Sequence, residues 1–325
     1  MVGCWSGGMD MEKKPLLVVA VGGNAIIREK QRGTQWEQLA NIEVCCEGLI
    51  ELLAMGYRLV ITHGNGPQVG NNLLRGKCAH HVLPPMMLDV YGAETQGQLG
   101  YMLQRVLNNK LGERGISAKV VTLITQVLVD GQDPAFKNPS KPIGPFYTRE
   151  EFENMSEGEK ANYMEDSGRG YRRVVPSPKP HRVVEYQTIR ELVEGGKIVI
   201  AVGGGGIPVV KGQDGKYYGV EAVIDKDLAA AVLAREIGAD YLLILTNVEG
   251  VAINFGKDNM TYIAKMSTTE ARQYMKEGHF PPGSMGPKLE AAIDFVEFNG
   301  GKAFITSLEK AGLALAGKSG TIVYK

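Results

Sequence analysis

The run LLVVAVGGNAII, residues 16–27, decides the fold. Unbroken apolar residues lead straight into a glycine pair, and IVIAVGGGGIPV, residues 198–209, repeats the pattern in the second half of the chain. An apolar run without alternation reads as a strand buried on both faces, which is the habit of a parallel sheet covered by helices. Glycines directly after such a strand let a ligand approach the main chain and leave successive N–H groups free for an anion. They also fall at the carboxyl edge of the sheet, where α/β folds bind ligands.

Outward from these runs, strand and helix patterns alternate. Leu39, Ile42, Cys46, Leu49 and Leu53 mark one face of a helix that Gly56 closes, and residues 58–62 read as the next strand. A helix over 91–111 and a strand run over 118–129 follow. Residues 131–180 are rich in proline and charge with little periodicity, so they are expected to form an inserted lid subdomain. The rhythm then resumes with a helix over 181–194, a strand over 197–202 and a hairpin turning at Asp214-Gly215. A helix over 227–237, a strand over 241–245, a helix over 288–298 and strands over 302–306 and 320–325 complete the chain. The expected fold is α/β, a three-layer αβα sandwich with a mainly parallel central sheet and a small protruding subdomain. It is read as one domain, residues 15–325, with an N-terminal lobe over about 15–200 and a C-terminal lobe over about 201–325.

Composition narrows the partners. The 325 residues are 44% hydrophobic, and 36 Lys plus Arg balance 36 Asp plus Glu, which argues against nucleic acid or an anionic membrane as the main partner. No apolar run approaches the roughly 20 residues of a membrane helix. The opening MVGCWSGGMDMEKK lacks the apolar core of a secretory signal and reads as a flexible leader. Cys4, Cys45, Cys46 and Cys78 show no CxxC spacing, so a reducing, cytoplasmic location is expected. His63, His80, His81, His181 and His279 form no zinc-like pattern and no triad; His63 is expected to pack or to hydrogen-bond rather than to catalyse.

HGNGPQVG, residues 63–70, is a third glycine cluster after a strand, but neither it nor GGGGIPV satisfies GxGxxG. GLALAGKS, residues 312–319, does match the P-loop expression, yet only 320–325 follow and they read as a strand, so the match is a chance one. Lys226 in VIDKDLAAA and Lys288 in PPGSMGPKLEAA stand at expected helix starts, where a cation adds to a phosphate-favouring site. Asp225 and Asp227 are placed to orient those ammonium groups, to help hold Mg²⁺, or to cap the helix. Backbone amides, lysines and an aspartate without an evident general base suit phosphoryl transfer to an acceptor that is already an anion, since that chemistry asks chiefly for alignment and charge neutralisation.

Six stretches, VVAVGGNAI, THGNGPQVG, NPSKPIGPFY, VGGGGIPVV, VIDKDLAA and GSMGPKLEAAIDFV, resemble the carbamate kinases of the amino-acid kinase fold, in that family's order and from about residue 16 to 325. The resemblance implies reversible, Mg²⁺-dependent transfer between ATP and carbamate, giving ADP and carbamoyl phosphate, usually run toward ATP in fermentative arginine catabolism. It implies that Gly22, Gly23 and Asn24, with Gly64 and Asn65, hold the carbamate or transferred phosphoryl group. Lys141 would close over that side, while Lys226 and Lys288 stabilise charge with Asp227 orienting them. Gly203, Gly204, Gly205 and Gly206 would lie at the nucleotide phosphates, and Thr246, Tyr262, Met285 and Gly286 near the adenosine. The pattern departs at Asn247, where an aspartate is expected. The family is dimeric, so a homodimer is implied. The alternatives are a kinase of the same fold with a larger acceptor such as N-acetylglutamate, and a non-catalytic nucleotide sensor.

Overall fold

The computed structural model describes residues 14–28, 30–166, 168–280 and 285–325, with residue 24 by its backbone alone. The expected leader, apart from Lys14, and the Asn24 side chain lie outside the described residues. Eight strands form the central sheet, in the order Lys265–Ser267, Thr321–Tyr324, Lys302–Ser307, Tyr241–Thr246, Leu16–Val21, Arg58–His63, Lys197–Ile200 and Lys119–Thr122. Neighbours are parallel except Lys302–Ser307 with Thr321–Tyr324.

The apolar run 16–21 is buried throughout, and alternation divides it between two cores. Leu17, Val19 and Val21 pack with Ile42 and Leu49 of the helix Gln35–Ala54 and with Leu99 and Leu103 of the helix Leu88–Glu113. Leu16, Val18 and Ala20 face the other way, toward Ala230 and Leu233 of the helix Lys226–Glu236 and Leu289 and Phe295 of the helix Met285–Asn299. Helices on both faces of one sheet give the three-layer αβα sandwich expected from the sequence.

Two expected elements differ. The run 118–129 is not one strand: Lys119–Thr122 joins the central sheet, whereas Gln126–Val129 joins a four-stranded sheet with Tyr217–Gly219, Ile207–Lys211 and Pro180–Val183. The break is at Thr125, whose N–H donates to Gln96 Oε1 (2.7 Å) and whose hydroxyl donates to the Leu123 carbonyl (3.0 Å). The helix expected over 181–194 begins only at Tyr186, because Val183 pairs across to Val127 in that second sheet. The hairpin at Asp214-Gly215 forms as expected, with Gly215 at φ 80°. The P-loop look-alike is a short helix, Ala311–Leu315, running into a strand, which reverses the strand-to-helix order of a P-loop.

Within the inserted segment, Lys141–Tyr147, Tyr171–Val175 and Tyr163–Glu165 form a separate antiparallel sheet. It rests on the helix Gly66–Ala79, where Val69, Ile143 and Val175 share a small core with Leu88 and Tyr91. The contact is made backbone to backbone: a Cβ on Gly70 would lie 1.9 Å from Gly144 Cα. Among the described residues, no helix is long and apolar enough to cross a membrane.

Candidate active site

The four middle strands of the sheet are parallel, so their carboxyl ends share one edge. Val21 leads there into the turn Gly23–Ala25, His63 into Gly64 and Asn65, and Thr246 into Asn247. Gly22 must be glycine because a Cβ would approach the Leu245 carbonyl oxygen to 2.9 Å, whereas at Gly23 nothing stands within 4 Å. A Cβ on Gly64 would lie 3.0 Å from Gly23 N and 3.5 Å from Lys226 Cδ. The glycine loops at Gly22–Gly23 and Gly64 and the Lys226 side chain therefore meet around one open space.

Lys226 opens the helix Lys226–Glu236, and Asp225 caps it by accepting from the N–H groups of Asp227 (2.9 Å) and Leu228 (3.3 Å). Asp227 is 2% exposed. Its Oδ1 binds the Lys226 ammonium, and its Oδ2 lies 3.3 Å from Lys288 Nζ, so one buried carboxylate holds two cations. Lys288 comes from the first turn of Met285–Asn299. Lys141, the first residue of the inserted sheet, reaches Asp225 Oδ2 with its ammonium at 2.5 Å. Three ammonium groups thus face two carboxylates, an excess of one positive charge.

The electrostatics follow from that crowding. Burial alone would raise the Asp225 pKa, but the charge and hydrogen bond of Lys141, with Lys226 and Lys288 beyond, hold it well below the usual carboxylate range. Burial pushes the Lys226 ammonium below the ordinary lysine value; Asp227 opposes this and Lys288 reinforces it. His63 is pushed down to about 4 by burial, against the Gly64 carbonyl contact (3.2 Å) and with the Lys226 charge. It is neutral at pH 7 and packed under Gly203, where a Cβ would touch its Nε2 at 2.5 Å. That is the packing role expected of it.

Asn65 is the N-cap residue of Gly66–Ala79, but its side chain turns inward, donating to Thr95 Oγ1 at 2.7 Å. The second glycine cluster has a packing reason for each member. Gly203–Gly206 are buried, and a Cβ on Gly204, Gly205 or Gly206 would strike Asn65, the Ile224 carbonyl or Val127 within 2.4 Å. The N–H groups of Gly205 and Gly206 are already bonded to the carbonyls of Val202 and Gly203. This cluster forms a floor beneath Asn65 rather than an open row of donors. Thr246 ends the strand beside the Gly22 loop, Met285 and Gly286 open the helix bearing Lys288, and Tyr262 stands 52% exposed on the hairpin Val251–Ile253 and Thr261–Ile263.

Sequence reasoning misses Thr95 and Gln96, the supports of this floor. Gln96 Nε2 donates to the carbonyls of Thr125 (3.1 Å) and Gly203 (3.0 Å), tying the long helix to the glycine turn. Two adjacent polar residues on the otherwise largely apolar buried stripe of an amphipathic helix were the available signal.

Residues 15–307 match the model of the amino acid kinase family. Among curated relatives, the carbamate kinase of Pyrococcus furiosus is 50% identical over 309 residues, 94% of this chain and 98% of the relative. Carbamate kinase 2 of Enterococcus faecalis is 48% identical over 296 residues, 90% of this chain and 94% of the relative. Among solved structures, the carbamate kinase of Giardia lamblia bound to AMP-PNP superposes with a TM-score of 0.87 at 42% identity, covering 96% of this chain and 99% of that one.

Proposed function

The chain belongs to the carbamate kinases of the amino acid kinase family, and from that premise we propose that it catalyses reversible phosphoryl transfer between ATP and carbamate, giving ADP and carbamoyl phosphate. The observation that carries the reading is the net-positive cluster of Lys141, Lys226 and Lys288 around Asp225 and Asp227 at the sheet edge. A group of that charge lacks one anion, and a phosphoryl group in flight supplies it.

In this reading, carbamate lies in the open space beside Gly23, bounded by Gly22, Gly64, Asn65 and Asn24. Its oxygen is already anionic, so no base is needed and a neutral His63 is no obstacle. Lys226 and Lys288, fixed by Asp227, stabilise the charge that spreads over the transferred oxygens. Lys141 is carried by the inserted sheet and closes the carbamate side. The nucleotide lies toward Thr246, Tyr262, Met285 and Gly286, while Gly203–Gly206, packed beneath Asn65, support the site from below instead of meeting the phosphates directly.

Magnesium belongs to the same proposal. Both site aspartates are engaged by lysines, so the oxygen donors best suited to this hard cation are the nucleotide's own phosphates. Bound there, the ion would neutralise phosphate charge. The reaction is proposed to run toward ATP in fermentative arginine catabolism, in the cytoplasm and as a homodimer.

The test is ADP formation from ATP in ammonium bicarbonate, which supplies carbamate. Turnover that needs both ammonia and bicarbonate and disappears with a magnesium chelator is expected. ATP hydrolysis indifferent to carbamate, or binding of ATP without turnover, would reject the proposal.

A further inference from the structure

Arg173 has no role in the site described above, and its placement is unusual. It lies on the middle strand of the inserted sheet, directly opposite Ile143 on one side and Tyr163 on the other. Ile143 packs with Val69 in the small core, so this is the face of the sheet that meets the helix Gly66–Ala79. Arg173 Nε is buried without a hydrogen-bond partner, and among the described residues no carboxylate pairs with its guanidinium. Orphaned buried donors are rare because each forfeits its bonds to water.

The guanidinium lines a narrow cleft of about 30 Å³ between helix and sheet, together with Lys77, Tyr147 and Tyr163. Lys77 and Arg173 are close enough to repel one another, although Glu159 pairs with Lys77 at 2.8 Å. Tyr147 is pushed up to about 12, by burial first and by Tyr163 beside it, so its hydroxyl keeps its proton. Between apolar walls of Leu73, Leu74, Ile143 and Pro145 the cleft sets Arg173, which has no carboxylate partner among the described residues, beside Lys77 and the hydrogen-bonded pair Tyr147 and Tyr163, with Glu151 near Tyr147. An arginine fork with a lysine beside it recognises tetrahedral oxyanions, and the narrow space suits a small ion.

We infer that this cleft is a second anion site, separate from the Asp227 cluster, which holds a small inorganic oxyanion of the phosphate or sulfate class between Arg173 and Lys77. Such an ion spans the seam between the core helix and the inserted sheet, close to the Gly70–Gly144 contact and beside the strand that begins with Lys141. It acts as a brace, holding the lysine-bearing strand against the core. The inference does not depend on the kinase reading.

The experiment is equilibrium dialysis of the full chain with labelled inorganic phosphate, combined with hydrogen exchange over residues 141–147. Arg173→Met is expected to bind one phosphate fewer per chain than the wild type, while the double variant Lys226→Ala, Lys288→Ala retains that ion. Phosphate should slow exchange in 141–147 in the wild type and not in Arg173→Met. Leu74→Glu, which sets a carboxylate at the cleft from a partly exposed position, provides the same test should Arg173→Met fail to fold. Undiminished phosphate binding in the folded arginine variant, or in Leu74→Glu, would overturn the inference. So would loss of all phosphate binding in the double lysine variant.

Discussion

Burial and charge pull Lys226 in opposite directions, and the balance has a measurable consequence. Its ammonium is needed as a cation, yet burial places its pKa below the ordinary 10.5. As pH rises through that lowered value the charge is lost, so kcat/KM, which reports the free enzyme, should fall on an alkaline limb lying below 10.5. Between the folded value and 10.5 the unfolded chain binds more protons than the fold, so stability rises with pH in that window. The alkaline loss traced to Lys226 is thus one of activity and not of structure, which a pH–kcat/KM profile beside a pH–melting profile will separate. With His63 at about 4, no limb is expected near pH 6.5. Lys226→Ala and Lys288→Ala should each lower kcat by about a hundredfold or more, the usual scale for losing a group that meets transition-state charge. Steady-state assays showing unchanged turnover in both would remove them from the mechanism. Lys141→Ala should impair use of carbamoyl phosphate far more than the KM for ADP; equal losses in both would detach the inserted sheet from the small substrate.

Lys226, Lys288 and Asp227 were legible as residues because each stands at an expected helix start, whereas Lys141 came only with the family resemblance. The convergence of Lys226 and Lys288 on one carboxylate was not legible, since it depends on where the sheet brings the helices Lys226–Glu236 and Met285–Asn299. Gly203–Gly206 illustrate the opposite problem. A glycine run signals close approach to the backbone, but sequence does not say whether a ligand or a side chain approaches; here Asn65, Val127 and the Ile224 carbonyl do.

At the scale of elements, the helices Gln35–Ala54, Leu88–Glu113, Lys226–Glu236 and Met285–Asn299 were readable to within a few residues, whereas Gly66–Ala79 was not read from its glycine-rich start and short strands depended on partners far away in sequence. The strand Pro180–Val183 exists because Gln126–Val129 is beside it, and the interruption before Gln126 exists because Gln96 captures Thr125. Neither partner leaves a local trace. The element most exposed to test is the seat of the inserted sheet. Gly70→Ala would drive a methyl into Gly144, so the sheet must shift. Overpacking of this kind costs about 1–3 kcal/mol. Because Lys141 rides on that sheet, the variant should lose efficiency with carbamoyl phosphate while the KM for ADP changes little. Steady-state kinetics with each substrate varied in turn would reveal the split, and parallel losses in both would contradict it.

For the whole molecule, the parallel sheet does the assembling. Glycine loops from residues 22 and 64, a lysine from an inserted sheet and two helix starts from the second half of the chain reach one edge because the middle strands run in one direction. The fold class was readable from apolar runs alone, since strands buried on both faces require helices on both sides. The acceptor was not: resemblance in the stretch NPSKPIGPFY carried that distinction. The most direct measurement is therefore ATP formation from ADP and Mg²⁺ with carbamoyl phosphate, acetyl phosphate and N-acetylglutamyl phosphate offered as separate donors. Rapid ATP formation from carbamoyl phosphate, and little from the other two, is the predicted result. Preference for N-acetylglutamyl phosphate, or no ATP from any donor while ADP still binds, would contradict it.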